Sequence, residues 1–165
     1  MKRFQIEFKW AIIMVLLFMA WVTLEKQLGF HSERLKWQVF FRMLFVFPSF
    51  LLYYLAIRDK KSNYYNSNMN WRQGFISSVV ISFIIVIFSP LTQFLIYEFI
   101  ATHYFDDMIA LAVANKRLTL LEAQSHFNLA ATIWQSISAD LSFGVVIGAI
   151  VAYLLKTNSN IETVK

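Results

Sequence analysis

From Gln73 to Tyr97 the chain reads QGFISSVVISFIIVIFSPLTQFLIY, without one charged residue. A helix needs roughly 20 apolar residues, or about 17–25, to cross a bilayer. The run is long enough, and it does not alternate apolar and polar residues as a strand of a membrane barrel does. A helix also satisfies its own backbone hydrogen bonds in lipid. The run therefore predicts a membrane-spanning helix, and the fold depends on how many similar runs the chain holds.

The composition of the whole chain also indicates a membrane protein. Of its 165 residues, 58% are apolar and 15% are charged, whereas a soluble domain is nearer half apolar and a quarter charged. A chain this short has too small an interior to bury 17 Phe, 7 Tyr and 5 Trp. The composition excludes a soluble enzyme domain, a disordered chain and a collagen-like chain. Because there is no Cys, disulfides and thiolate nucleophiles are excluded as well.

Three further stretches predict spanning helices. The uncharged runs Trp10–Leu24 and Met43–Ile57 are short, so their helices must carry a flanking charge into the membrane; the alternative is a hairpin that dips halfway. The stretch of about Leu129–Leu155 is interrupted only by Asp140. A cleaved signal peptide is a second alternative for the N-terminus, but Phe18-Met19-Ala20 is not a small-x-small cleavage site.

We therefore predict an all-α fold, a four-helix transmembrane bundle made of two hairpins. Residues 1–165 form a single integral membrane domain. The expected spans are about 9–28, 39–57, 74–99 and 129–155. A cytoplasmic loop, 58–73, joins the second and third spans, and its aromatic and basic residues predict an interfacial belt; binding of an anionic lipid or an acidic partner is the alternative.

The connection 101–128 predicts a short external helical cap between the third and fourth spans. Asp106 and Asp107 favour the start of one helix, since negative charge is stabilised at a helix N-terminus. Thr119 and Glu122 have the spacing of a capping box, which starts a second helix. We expect this second helix to continue into the fourth span.

The distribution of Lys and Arg predicts the orientation in the membrane. Nine lie in the N-terminus, the second loop and the tail, and six lie in the other connections. Because positive residues are enriched on the cytoplasmic side, we predict that both termini are cytoplasmic. The nine residues are Lys2, Arg3, Lys9, Arg58, Lys60, Lys61, Arg72, Lys156 and Lys165.

Small and polar residues recur every fourth position in the last predicted span, which places them along one side of a helix. Gly144 and Gly148 form a small-xxx-small motif, which lets a neighbouring backbone approach closely. We predict packing of this side against the first or third span, with self-association through the Gly144/Gly148 face as the alternative. The candidate packing residues are Ser136, Gly144, Gly148 and Ala152.

Several ionisable residues are predicted to lie at one depth. Three of them are 16 residues from a flanking charge of their span: Glu25 from Lys9, Arg42 from Arg58, and Asp140 from Lys156. At about 1.5 Å per residue, each lies roughly 24 Å from that flank. An unpaired charge in lipid costs at least about 2.5–3.5 kcal/mol, and an arginine has enough donors for two carboxylates.

Our hypothesis is an intramembrane polar cluster in which Arg42 lies between Glu25 and Asp140. The alternative is that Glu25 and Arg42 end their helices at the interface and leave only Asp140 buried. The third span contributes polar side chains near the same level. The candidate cluster therefore consists of Glu25, Arg42, Asp140, Gln93 and Ser89.

No catalytic, cofactor-binding or metal-binding pattern stands out. Catalysis needs an activated nucleophile or a metal, and no Ser/His/Asp spacing is present. The metal candidates are Asp106, Asp107, His103 and His126, and their spacing matches no ligand motif. We expect no enzyme activity, no cofactor and no nucleic-acid partner.

Short segments of the chain resemble a known family. They are IEFKWAII at 6–13, QGFIS at 73–77, SPLTQ at 89–93, and Glu122-Ala123 followed by FNL at 127–129. In this order and spacing they resemble the bacterial domain of unknown function 4199 family of small integral membrane proteins. The resemblance covers nearly the whole chain and implies a four-helix protein of the bacterial plasma (inner) membrane. It implies no activity, substrate or catalytic residue.

Three functions remain open at this point. The first is a non-enzymatic accessory or interaction module that contacts the lipid bilayer and, as partners, other membrane proteins or a second copy. The alternative is a small transporter or ion- or proton-conducting protein, because ionisable groups in spans are functional candidates; against it, no inverted repeat is evident. A membrane enzyme acting on lipid is the third.

Overall fold

The protein is an all-α bundle, as predicted. The computed structural model describes residues 4–157. A 3-10 turn, Leu35–Trp37, precedes the second helix, and a π-helical turn, Ile96–Ile100, extends the fourth. The helices are α1 (Gln5–Gln27), α2 (Gln38–Met43), α3 (Val46–Asn63), α4 (Trp71–Leu95), α5 (Tyr104–Ala114), α6 (Leu120–His126) and α7 (Leu129–Leu155).

Four helical stretches are long and apolar enough to cross a membrane, and they pack together. They are Gln5–Gln27, Leu35–Asn63, Trp71–Ile100 and Leu129–Leu155. The first two extend beyond the uncharged runs that predicted them and so include charged residues. Large apolar side chains face outward; Phe47 and Ile87 are 70% and 71% exposed. Such an apolar exterior suits lipid as the solvent, so the protein is a multi-pass membrane protein that contacts the bilayer.

The fourth helix, α4, packs along α7 and also contacts α1 and α3. Small side chains explain the close α4–α7 approach: Gly144 lies against Ser82, Gly148 against Ser78, and Ala152 against Gly74. In lipid, close packing of this kind replaces the hydrophobic driving force between helices. The Gly144/Gly148 face is thus filled by α4 of the same chain, as predicted for packing against the third span.

The bundle has two distinct ends. We call the end with α5 and α6 the cap end, and the end where α1 begins and α7 finishes the terminal end. At the terminal end, the N–H of Thr157 donates to the Met69 carbonyl at 2.8 Å, and Lys61 Nζ donates to the Leu155 carbonyl at 2.9 Å. These bonds tie the second loop to the end of α7. Lys2, Arg3 and Lys165, which support the predicted orientation, lie outside the described residues.

Both predicted helix starts in the cap are confirmed. Asp106 and Asp107 lie in the first turn of α5. The Thr119 side chain accepts from the Glu122 N–H at 3.4 Å, while Glu122 Oε2 accepts from the Thr119 N–H at 2.8 Å, which completes the capping box. The hydrogen bonds from the backbone and hydroxyl of Thr119 lower the pKa of Glu122.

The expectation that α6 continues into the fourth span is wrong. The helix ends at His126, and Phe127 has a non-helical conformation, with φ −99° and ψ 80°. A new helix, α7, begins after Asn128, whose side chain accepts a hydrogen bond from the Ala131 N–H at 2.9 Å. An asparagine at this position satisfies one of the free amides of a helix start, so the chain changes direction here before it enters the bundle.

Candidate functional site

A fully buried carboxylate, Glu25, lies in the last turns of α1 at the cap end. Arg42 of α2 donates to it from Nη2 at 2.7 Å and from Nε at 3.2 Å to each oxygen. Such hydrogen bonds between charged groups are shorter and stronger than neutral ones. Glu25 and Arg42, which the sequence places at one depth, therefore form an ion pair between the first two spans.

Three further polar side chains surround this ion pair. His31 Nε2 lies 3.1 Å from Glu25 Oε2, and Gln38 Nε2 donates to the same oxygen at 3.3 Å. The Tyr104 hydroxyl donates to Gln38 Oε1 at 3.3 Å. Burial raises the pKa of Tyr104 to about 12, so the hydroxyl keeps its proton at neutral pH. We call Glu25, Arg42, His31, Gln38 and Tyr104 the cap-end cluster.

The first loop turns sharply and so returns His31 to Glu25. Gly29 has a φ of +78°, a conformation that glycine adopts without steric cost. The next residue, Phe30, stacks on Phe41 of α2 with ring centroids 4.4 Å apart. The turn and the stacked rings hold the loop against α2, which leaves the His31 ring buried beside the carboxylate.

All four spans border a cavity of about 550 Å³ next to the cap-end cluster. The volume lies within the range of about 300–1,000 Å³ that is usual for small-molecule sites. Its back wall is formed by buried residues of α1 and α4, such as Met14 and Thr92. Other lining residues are exposed: Met43 of α2 is 67% exposed and Phe143 of α7 is 39% exposed. The cavity therefore opens sideways, between the second span and α7.

The cavity brings together most of the residues that the sequence singled out. Arg42 lies at its boundary with the cap-end cluster, and Asp140 lies on the α7 side. Among the described residues these two are its charged members. The neutral polar side chains of the lining are Ser49, Tyr53, Ser89, Thr92, Gln93, Tyr97, Thr132, Gln135 and Ser136. Glu25 itself does not line the cavity but lies behind Arg42.

The predicted cluster is only partly joined by hydrogen bonds. Gln93 Nε2 donates to Ser136 Oγ at 2.7 Å, which links α4 to α7. Ser89 Oγ is buried and has no hydrogen-bond partner within residues 4–157. Asp140 forms no ion pair or hydrogen bond with any described residue. Arg42 directs its Nε and Nη2 donors to Glu25. Of the two contacts in the hypothesis, Arg42 with Glu25 and Arg42 with Asp140, the structure shows the first.

Hydroxyl groups close the cavity toward the terminal end. The Tyr53 hydroxyl lies 2.8 Å from Ser82 Oγ, and both groups lie against Gly144. Ser82 Oγ in turn donates to the Ser78 carbonyl at 3.0 Å. We call Tyr53, Ser82 and Gly144 the cavity floor; there α3, α4 and α7 are in contact with one another.

A second buried ion pair lies at the terminal end, and sequence reasoning missed it. Lys60 Nζ lies 2.9 Å from Glu7 Oε1 and 3.0 Å from Oε2, with both residues 2% exposed. Ser77 Oγ donates to Glu7 at 2.9 Å. We call Glu7, Lys60 and Ser77 the terminal-end cluster. From the sequence, Lys60 is predicted to be only one of the basic residues of the loop 58–73.

Both ion pairs could have been predicted from the spacing of their residues in the sequence. Glu7 and Glu25 are 18 residues apart, and so are Arg42 and Lys60. Eighteen residues are about five helical turns, so the two acids share one side of α1 and the two bases share one side of the second span. Because the two spans run in opposite directions, each acid meets a base. His31 and Tyr104 lie in connections and follow no such period.

No metal site forms in the part of the chain that the structure describes. Within residues 4–157, no three His, Asp or Glu side chains gather closely enough to hold an ion. Asp106 and Asp107 belong to the first turn of α5, and His126 ends α6 with its ring against Phe127. The cavity itself offers apolar walls, hydroxyl and amide groups, a paired guanidinium and one carboxylate.

Of three comparisons with known proteins, one gives a match, to the model of a protein family. There is no significant match among curated proteins or among solved structures. The model of one family, described as protein of unknown function (DUF4199), matches residues 9–157, which include nearly all of the four spans. That description carries no activity, substrate or site residue. The match covers far more than half of the sequence, and the protein therefore belongs to the DUF4199 family.

Proposed function

We propose that the protein is a non-enzymatic interaction module of the membrane and that it holds an amphiphilic molecule of the bilayer in its side-opening cavity. The observation that carries this proposal is the exposure of Met43 and Phe143 at the rim, where the cavity meets lipid. Apolar walls with a few polar groups are typical of small-molecule sites. An amphiphile would place its chain against the apolar walls and its polar part between Arg42 and Asp140.

The polar groups of the cavity suit binding better than covalent chemistry. A hydroxyl becomes a nucleophile when an adjacent base takes its proton. Among the described residues, no hydroxyl of the lining is hydrogen-bonded to a histidine, and His31 is bonded to Glu25 instead. An accessory role in a larger membrane assembly fits the same features, with other membrane proteins as partners.

Replacing Ala139 by Trp is expected to displace the bound amphiphile. Ala139 lines the cavity and is exposed at its rim, so an indole there would occupy the space of the ligand. Native mass spectrometry of protein extracted in mild detergent should show roughly tenfold weaker lipid retention, equivalent to about 1.4 kcal/mol.

The matched control is Val146→Trp, which places the same side chain on the exposed side of α7, where Val146 is 59% exposed. It should retain lipid as the wild type does. If Ala139→Trp keeps its melting temperature and also retains lipid as the wild type does, the cavity is not the binding site and the proposal fails.

We also propose that the protein resides in a bacterial plasma membrane with both termini in the cytoplasm. The excess of Lys and Arg at the terminal end supports this orientation, in which the cap end would lie on the outer face. A reporter enzyme that works only in the cytoplasm should be active when it is fused after Lys165, and one that works only in the periplasm should be inactive there. Periplasmic activity of the fusion would reverse the orientation.

A specific observation favours a small proton- or ion-conducting protein as the second candidate. Polar groups continue from the cavity floor toward the terminal end, through Tyr53, Ser82 and Ser78, and Ser77 then bonds to Glu7. Ionisable and hydroxyl groups along a span are typical of proton pathways. Proton flux in vesicles that disappears in Asp140→Asn would favour this candidate, whereas the binding module predicts no flux.

A further inference from the structure

We propose that Asp140 selects amphiphiles with a primary ammonium head group, such as phosphatidylethanolamine. This inference rests on the proposed function, because it names the class of ligand that the cavity would hold. Three features carry it: the charges of the cavity, two polar groups without partners, and the apolar remainder of the walls.

Of the two charged residues of the cavity, one has a partner of opposite charge among the described residues and the other does not. Arg42 is neutralised by Glu25 through hydrogen bonds of 2.7 Å and 3.2 Å. Asp140 lies across the cavity on α7 and has no such partner among residues 4–157. An unpaired charge inside a span costs at least about 2.5–3.5 kcal/mol. A cation brought by the ligand would remove that cost.

A second acceptor of the lining lies on α4, the helix that packs along α7. Ser89 of α4 is 3% exposed, lines the cavity, and has no hydrogen-bond partner for its Oγ within the described residues. A carboxylate and a hydroxyl both accept hydrogen bonds, and a primary ammonium has three N–H donors to offer. A quaternary ammonium has none. The two acceptors therefore favour a primary ammonium over a choline head group.

The apolar side chains of the cavity indicate what the rest of the ligand is. Met14, Phe18, Ile85 and Phe143 line it with apolar surface, which suits an acyl or alkyl chain. The opening between the second span and α7 would let such a chain enter from the membrane. The shared chemistry is thus a primary ammonium joined to an apolar chain, whether it comes from a phospholipid or from a free long-chain amine.

The test compares lipids that differ in their head group. Delipidated full-length protein in mild detergent is mixed with equal amounts of phosphatidylethanolamine, phosphatidylcholine and phosphatidylglycerol of the same chains, and separately with dodecylamine. Bound species are measured by native mass spectrometry. We expect phosphatidylethanolamine to bind about tenfold better than phosphatidylcholine. Binding of dodecylamine in addition would show that ammonium and chain suffice, whereas its absence would assign the site to the phospholipid; both support the proposal.

Asp140→Asn keeps the shape of the side chain and removes its charge, so it should abolish the preference for the ethanolamine lipid while lipid still binds. Asp106→Asn makes the same change on the exposed cap and should keep the preference. Equal binding of all three phospholipids to the wild type, or a preference that survives Asp140→Asn, would overturn the inference. If no head-group preference is found but Ala139→Trp still weakens lipid binding roughly tenfold, the proposed function stands without this inference. If Ala139→Trp leaves lipid binding unchanged, the proposed function itself fails.

Discussion

Glu25→Gln is expected to lower the melting temperature of the detergent-solubilised protein by about 10 °C. The substitution keeps the size of the side chain but removes the charge that Arg42 contacts through Nε and Nη2. Breaking a buried ion pair by removing one partner costs about 3–5 kcal/mol, because the other charge stays buried. In a chain of this size, each kcal/mol corresponds to about 2–4 °C.

The matched control for this substitution is Glu33→Gln. Glu33 is an exposed carboxylate of the first loop, so the same chemical change should leave the melting temperature within about 1 °C, as is usual for surface positions. A change in Glu25→Gln no larger than that of Glu33→Gln would mean that the cap-end cluster does not hold the first two spans together.

Gly144→Leu is also expected to destabilise the protein, for a steric reason. A Cβ atom at Gly144 would overlap Ser82 Oγ and would lie 2.6 Å from the Tyr53 hydroxyl oxygen and 2.7 Å from Ser82 Cβ. A leucine requires α4 and α7 to move apart along their main contact. Overpacking costs about 1–3 kcal/mol and occasionally more, and here it also opens the cavity floor.

Thermal unfolding of Gly144→Leu should be compared with that of Val146→Leu. Val146 lies two residues further along the same helix, on its exposed side, so an added leucine there should cost little. Equal melting temperatures for the two variants would show that the glycine face does not pack on α4.

The architecture was predictable because the membrane leaves the chain few choices. Long apolar runs such as Gln73–Tyr97 must be helical in lipid, since only helices and closed barrels satisfy the backbone there. The extent of each helix was less predictable. The second span extends from Leu35 to Asn63, beyond the predicted 39–57. The predicted span already held Arg42 but ended before Lys60, which lies within the helix because it pairs with Glu7.

Depth was easier to predict than direction. The rise of a helix is constant, so counting residues from a flanking charge placed Glu25 and Arg42 at one level. The same counting placed Asp140 at that level but gave no information on which side of the bundle it faces. In the structure Arg42 is bonded to Glu25. Asp140 is not bonded to Arg42 but lines the same cavity from α7. Relative rotation of α7 depends on Gly144 and Gly148 packing on α4, which a single sequence does not fix.

Contacts made by connections were the least predictable. His31 reaches Glu25 only because Gly29 allows the tight turn before it. Tyr104 reaches Gln38 from the start of α5, which follows the third span. Such contacts depend on the path of a loop and leave no periodic pattern in the sequence.

The coupling energy between Glu25 and Arg42 tests most directly whether the charges of the spans pair inside the bundle. It is obtained from the unfolding free energies of Glu25→Gln, Arg42→Met, the double variant and the wild type in one detergent. The structure predicts that the double variant is less destabilised than the sum of the single variants by at least about 1 kcal/mol. Additivity within about 0.5 kcal/mol would contradict the account.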